Sequence, residues 1–559
     1  MVFITALGVI LLAIILFAKY QRKMALAKLK NQLIENWGSL KLEKYQPFNL
    51  IEKYFRNNIH QKKAYQIISD RVASDLDLDD VFSYIDRTSS RIGQQFLYYK
   101  LRTINDKASL AKLDSLSQLF TNPVLRMDCQ MELSKLSDRE GYDLESLIND
   151  EHPPKPQNMW LAYVASFAAI TIVIIAIFKP IFILGLIPIL ILNWLTHYKN
   201  KLNIDLYVNG VVQLKKSLKV ARTLASFPEI KTFYTEFIFF EKIKSFDRKI
   251  KFIGFEKDLG NEISGVGWTL TELIKIFFNL EYIVFYSFIE SVSIERESID
   301  KLFCFIGEVD SAISVASLKA SGDPICTPEF SSNNLFSAEK MVHPLIESCV
   351  VNSVELKGKS MLLTGSNMSG KTTFIRTVAI NALLAQTLNI CFANRFVSPF
   401  FKIYTSIRIT DDLLDDTSYY LEEVNTIKKL IEASEGSLPC LFILDEIFKG
   451  TNTIERISGG KAILSYLNKP IHTVFVSTHD IELTELLQDD NYDLYHFTEQ
   501  VTNFDLDFDH KLKKGPLKTR NAIKILELHD YPNEIIEEAR RVKARNFTIS
   551  SSDIKALDK

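Results

Sequence analysis

The chain has 559 residues, too many for one ordinary domain, and 66 Lys and Arg set against 68 Asp and Glu give it a net charge of −2. That balance excludes a polycation gripping nucleic acid over its whole surface, so any such contact must come from a local patch. The six cysteines, Cys129, Cys304, Cys326, Cys349, Cys391 and Cys440, form no CxxC pair, which argues against zinc and against a disulfide framework and fits a reducing compartment.

In chain order, Val2 to Ala18 is apolar, unbroken, just long enough to cross a bilayer, and followed by "KYQRK". A signal peptide carries its charge before the apolar run, and no small-x-small cleavage site comes after it, so residues 1–19 read as a retained anchor, against a cleaved signal or a buried helix. Basic residues after the run predict that the chain beyond it is cytoplasmic. Residues 20–150 read as mostly helical, and "HPPKPQN" as a linker. Met159 to Lys201 contains two apolar runs divided by Lys179 and Pro180. With Trp160 and Trp194 near its ends and Lys155, Lys199 and Lys201 flanking it, this stretch predicts a transmembrane helical hairpin over 159–198, both ends cytoplasmic, against a buried core hairpin. Residues 199–323 continue in amphipathic helical style. Their section from Lys201 to Asp258 has an excess of Lys and Arg, a face for phosphates, for anionic lipid, or simply for solvent.

From about Pro324 the texture changes. "KSMLLTG", "CLFILDE" and "HTVFVSTHD" are short apolar runs of buried parallel strands, separated by helical segments, and residues 324–545 therefore read as an alternating α/β domain followed by a tail, 546–559. In "LLTGSNMSGKTTF" the first strand runs into a glycine-rich turn and then a helix. Gly365, Ser366, Asn367, Met368, Ser369, Gly370, Lys371, Thr372 and Thr373 would cradle phosphate oxygens with backbone N–H groups at the helix N-terminus. Gly365 and Gly370 leave room for that approach, Lys371 would reach the β and γ phosphates of ATP, and the Thr372 hydroxyl would ligate Mg²⁺. The second strand ends in Asp445, suited to the Mg²⁺ shell, and Glu446, suited to orienting or deprotonating an attacking water. The third ends at His479, suited to contact the γ-phosphate or that water. This order is that of ABC-type ATPases. "ISGGK", Ile457 to Lys461, comes after the Asp-Glu strand where an ABC transporter's signature would precede it, and it reads instead as a helix start capped by Ser458.

Taken together these segments resemble the MutS family. "TGSNMSGKTTFIRT" is similar to its phosphate loop, "DDLLDDTSYYLEEV" to its signature segment, "LDEIFKGTNT" to its second nucleotide motif, "VSTHD" to its switch histidine, "MVHPLIE" to the approach to its ATPase domain, and "FDHKLKKGP" to the segment before its C-terminal helices. More weakly, "DLDDVFSYIDRTSSRIGQQFLYYKLRTI" resembles the start of the family's helical core and "FIGEVDSAISVASL" its return into the ATPase domain. The resemblance implies a homodimer with composite sites, Ser418 reaching the ATP held by the partner, and His510 packing near the adenine. It also implies DNA as a partner. The departures are equally specific. No room precedes Asp77 for mismatch-reading and connector domains, Phe288, Ile289 and Glu290 form a chance match to a mismatch wedge, Cys349 stands where the family often has an aromatic residue, and the hairpin replaces the DNA clamp.

The expected architecture is a multidomain protein. It has an N-terminal membrane anchor, a mostly α-helical MutS-like core interrupted by a transmembrane helical hairpin, and a C-terminal α/β ABC-type P-loop ATPase domain. The expected function is a membrane-anchored ATPase facing the cytoplasm, coupled to DNA. The alternative is an ATP-gated membrane scaffold, or an ATPase acting on lipid or protein, that binds no DNA.

Overall fold

In the computed structural model the first apolar run lies within a single helix, Val2–Glu35, that continues through the basic residues after it. The structure describes residues 2–41, 46–57, 64–234, 237–244, 274–366, 368–408, 419–448, 451–501, 506–517, 522–529 and 531–542. They fall into two units, one of Met1–Ala64 with Phe82–Asp323 and the other of Tyr65–Val81 with Pro324–Lys559.

The first unit is helical. Its core forms where Arg91–Arg102 packs on Arg296–Lys319, the two stretches of sequence that resemble the start and the return of the family's core. Ser90 caps the first of these helices, its side chain accepting from the Gly93 N–H. The buried Asp310 carboxylate of the second helix accepts from the backbone N–H groups of Ser89 and Ser90 at 2.9 and 2.8 Å. An acid at a helix N-terminus satisfies donors that the helix itself leaves open. Nearby, the Tyr54 ring stacks on Phe303 with centroids 4.2 Å apart. Phe288 and Ile289 are core residues of the apolar helix Leu280–Ile294, while Glu290 pairs with Lys155 at 3.1 Å, so this stretch packs as a core helix of the unit.

The central apolar region folds as Met159–Phe178, a 3-10 turn Pro180–Gly185, and a helix Leu186–Ser226 of 41 residues. This last helix passes beyond residue 198 without interruption, so the second apolar run and the polar sequence after it are one element. Met159–Phe178 and Pro180–Lys199 are each long and apolar enough to cross a membrane, and only 17% and 11% of their apolar windows are buried inside the protein. The basic stretch around "KIKSFDRKIK" lies, from residue 245 onward, outside the described residues.

The second unit is built on a six-stranded sheet in the order Lys402–Ser406, Cys440–Asp445, Thr473–Thr478, Ser360–Thr364, Tyr492–His496, Lys513–Lys514, parallel except for the last. Ser360–Thr364, Cys440–Asp445 and Thr473–Thr478 are buried along their whole length, which is why they read as continuous apolar runs. Leu362, Phe442, Leu444, Val474 and Val476 pack with Ile427, Leu430, Leu464 and Leu467 from the flanking helices Tyr419–Ser434 and Thr453–Leu467. Burial of each such side chain contributes about 1.5–3 kcal/mol. A second, four-stranded sheet joins Glu329–Phe330, Arg395–Ser398, Leu335–Met341 and Asn352–Lys357.

Two features depart from the sequence reading. Ser458 does not cap a helix: Thr453–Leu467 starts earlier, capped by Asn452, whose side chain accepts from the Glu455 N–H, and "ISGGK" lies inside it. Its glycine has a packing reason, because a Cβ on Gly459 would come within 2.9 Å of the Phe448 ring. The other is that Tyr65–Val81, far upstream in sequence, covers the edge strand of the large sheet. The Gln66 side-chain amide donates to Ile403 O and accepts from Ile403 N, both at 2.7 Å, as a neighbouring strand's backbone would. Tyr65 donates to Phe400 O at 3.1 Å, and Arg71 pairs with Glu422 at 2.9 Å.

Candidate functional site

Parallel pairing sets the carboxyl ends of the central strands side by side: Asp445 is level with Ser477 and Thr478 with Thr364. The chain leaving each end therefore opens onto a common crevice, the usual place for a ligand in an open α/β sheet. A cavity of about 470 Å³ lies there.

Its polar side starts with the loop after Thr364. Gly370 has φ +105°, and a Cβ there would come within 3.2 Å of His510 Nδ1; a Cβ on Gly365 would come within 2.9 Å of Ser369 Oγ. The helix Lys371–Leu388 begins at once, so the positive end of its dipole faces the cavity. Lys371, buried, donates to Gly365 O at 2.9 Å and to Ser366 O at 2.8 Å. The Thr372 hydroxyl donates to Asp445 at 2.7 Å, and Ser477 donates to the other oxygen of that carboxylate. Ser366 donates to Glu499.

His479 stands between two groups, its Nε2 at 2.8 Å from Glu446 and 3.3 Å from Lys371 Nζ. Protonated at Nε2 it donates to Glu446; protonated at Nδ1 alone it accepts from the lysine. The adjacent Asp480 holds Arg456 in a bidentate pair at 2.8 and 2.7 Å, which fixes the backbone after the histidine. Glu446 itself has φ +55°, and Met368, Phe448 and His510 share the left-handed region. Such backbone costs about 1–3 kcal/mol per residue and persists where the surroundings over-determine it.

The other side of the cavity is apolar, formed by Met341, Ile346, Val350, Phe374 and Phe497, with Cys349 among them. His510 closes it. Its Nδ1 lies 3.0 Å from Ser369 O, and its ring stacks on Phe508.

Of the residues singled out from sequence, Ser366, Met368, Gly370, Lys371, Thr372, Thr373, Asp445, Glu446, His479 and His510 line this one cavity. Gly365 and Ser369 belong to the same loop, whereas Asn367 and Ser418 lie outside the described residues. Sequence reading missed Phe497 and the partners Ser477, Glu499 and Arg456. Ser477 sits in the quoted "VSTHD" and could have been found there; the other three carry no local signal.

Behind the loop, burial pushes His343 of the "MVHPLIE" segment down to about 4, and Arg376 adds to the effect. The folded protein thus takes up this proton later than the unfolded chain does. Its stabilising contribution is complete above the free-histidine value of about 6.5 and is lost as pH falls toward 4. Denaturant titrations of the wild type and His343→Asn should show the wild type losing about 2 kcal/mol relative to the variant between pH 7 and pH 5. Parallel pH profiles would refute a neutral buried imidazole.

The sequence pattern of MutS domain V matches residues 361–546. The DNA mismatch repair protein MutS of Listeria welshimeri is 32% identical over 276 residues, which cover 47% of this chain and 32% of that protein. The protein of the same name from Staphylococcus haemolyticus is 33% identical over 275 residues, 47% of this chain and 31% of its own. That of Natronomonas pharaonis is 30% identical over 273 residues, 46% of this chain and 31% of its own. This chain spans about a third of the length of these curated relatives. The matched residues 361–546 hold the phosphate loop, most of the six-stranded sheet and much of the cavity lining, and over this stretch the chain is similar to the MutS family.

Proposed function

We propose that the chain is a membrane-tethered ATPase that hydrolyses ATP to ADP and phosphate in this cavity. The observation that carries the reading is the convergence of Lys371, Thr372, Asp445, Glu446 and His479 on one side of a space whose other side is apolar. Lys371 would exchange its loop carbonyls for β and γ phosphate oxygens, and the base would lie against Ile346, Val350 and Phe497, near His510. Thr372 and Asp445 offer two oxygens 2.7 Å apart, the hard donors that suit Mg²⁺. Among the described residues no group of three or more His, Cys, Asp or Glu could hold a metal, so the remaining ligands would come from the nucleotide and water. A bound Mg²⁺ would neutralise charge on the β and γ phosphates. Glu446 takes the proton of a water attacking the γ-phosphorus as ADP leaves, and His479 holds Glu446 in position and senses the phosphate. A second copy supplying Ser418 would complete each site, as the family resemblance implies.

Purified full-length protein should release phosphate from Mg·ATP. A folded preparation that releases none would overturn this reading.

The family resemblance makes DNA the first candidate for the ATPase to act on. A second reading, an ATP-gated scaffold or a mover of lipid or protein at the membrane, draws on the exposed apolar faces of Met159–Phe178 and Pro180–Lys199. Detergent-solubilised protein separates the two: turnover that rises with duplex DNA in a salt-dependent manner supports the first, and turnover that ignores DNA but responds to lipid supports the second. Recovery of the chain in the soluble fraction without detergent would sink the membrane tether.

A further inference from the structure

The strap Tyr65–Val81 does more than cover a sheet edge. Two of its acidic residues, Asp75 and Asp77, reach into the machinery behind the phosphate loop. The Asp75 carboxylate, buried, accepts from Thr405 Oγ1 at 2.5 Å and from the backbone N–H groups of Ile407 and Arg408 at 3.2 and 2.8 Å, satisfying the chain where it leaves the edge strand. Asp77 has φ +49°, a conformation that Asp tolerates better than most residues. Its carboxylate takes Arg408 in a fork at 2.6 and 2.9 Å and Arg376 at 3.1 Å. Arg376 belongs to the same helix as Lys371 and Thr372.

We propose that Asp77 is a positioning residue for ATP turnover, tying the phosphate-loop helix to the end of the edge strand and holding Arg376 away from Asp445. This role rests on the chain being an ATPase. Arg376 is mostly buried, and its Nε is buried without a hydrogen-bond partner among the described residues, so its pairing with Asp77 is what compensates the guanidinium. Arg376 also lies one helical turn beyond Thr372, whose hydroxyl donates to Asp445 at 2.7 Å, so the two side chains share a helix face on the side of that carboxylate. Released from Asp77, it becomes a competitor for the carboxylate that would hold Mg²⁺. The strap is covalently continuous with the helical unit, because the division between the units falls inside the helix Leu78–Ile85.

The test uses full-length protein in detergent and compares Asp77→Asn with Asp77→Glu and Arg408→Gln. In Asp77→Asn, kcat should fall about tenfold, KM for ATP should stay within about threefold, and the Mg²⁺ concentration for half-maximal turnover should rise severalfold, with Asp77→Glu restoring most of the loss. Without nucleotide or metal, hydrogen exchange should speed up across 371–376 and 402–408 in Asp77→Asn and, more weakly, in Arg408→Gln, where no buried charge is stranded. Unchanged exchange in both variants overturns the tie, and an unchanged Mg²⁺ requirement in a folded Asp77→Asn overturns the role toward Asp445. If the wild type releases no phosphate the ATPase reading fails by itself, and the exchange comparison still decides whether the strap holds the helix. Should Asp77→Asn not fold, Arg408→Gln carries the same exchange test.

Discussion

Replacing Glu446 with glutamine is expected to slow ATP turnover by about 10²–10⁴-fold while ATP still binds, the range that a positioned general base contributes. Glutamine keeps the shape of the side chain and one oxygen, so the left-handed backbone at 446 and the bond from Glu446 N to Ser477 O at 2.9 Å have no reason to change. The loss is confined to the proton acceptor beside His479. Single-turnover phosphate release together with equilibrium binding of a fluorescent ATP analogue separates the two quantities. Unchanged turnover would remove Glu446 from the chemistry. Binding that weakens in parallel with turnover would make it a ligand of the nucleotide.

Lys371→Ala should act on the other quantity. The lysine already makes two hydrogen bonds to loop carbonyls, and in the ATP complex those would become charge-assisted bonds to phosphate oxygens. Losing them should cost about 3 kcal/mol, roughly a hundredfold in affinity. Circular dichroism should show an unchanged fold, since the loop glycines and the all-buried strand before them are untouched. Affinity within a few fold of the wild type would count against a phosphate at this position.

The parts of this site that could be read in the sequence are those built from contiguous residues. Strands such as Cys440–Asp445 are buried on both faces and so appear as apolar words, and the chemistry sits where each word ends. The cavity's apolar wall was hidden, because Ile346, Phe374 and Phe497 come from separate segments and each looks like any core residue. The strap was hidden for a different reason. Gln66 pairs with Ile403 through its side chain, and the partners of Asp75 and Asp77 lie more than 290 residues away, so nothing local marks these acids as anything but a solvated charge run. "ISGGK" misled in the opposite direction: a serine and two glycines look like a helix boundary, yet the second requirement, close approach of an aromatic ring, places them in a helix interior.

The helix Leu186–Ser226 has a mechanical consequence. At 1.5 Å per residue its 41 residues make a strut about 60 Å long. Pro188, in its first turn, occupies a position where a helix has no backbone bond to lose, and no further proline occurs before Pro228, beyond its end. One end is apolar and the other carries Lys215, Lys216, Lys219 and Arg222. With no proline between them, the two ends belong to one continuous helix, and a displacement at the apolar end is carried along it toward the basic one.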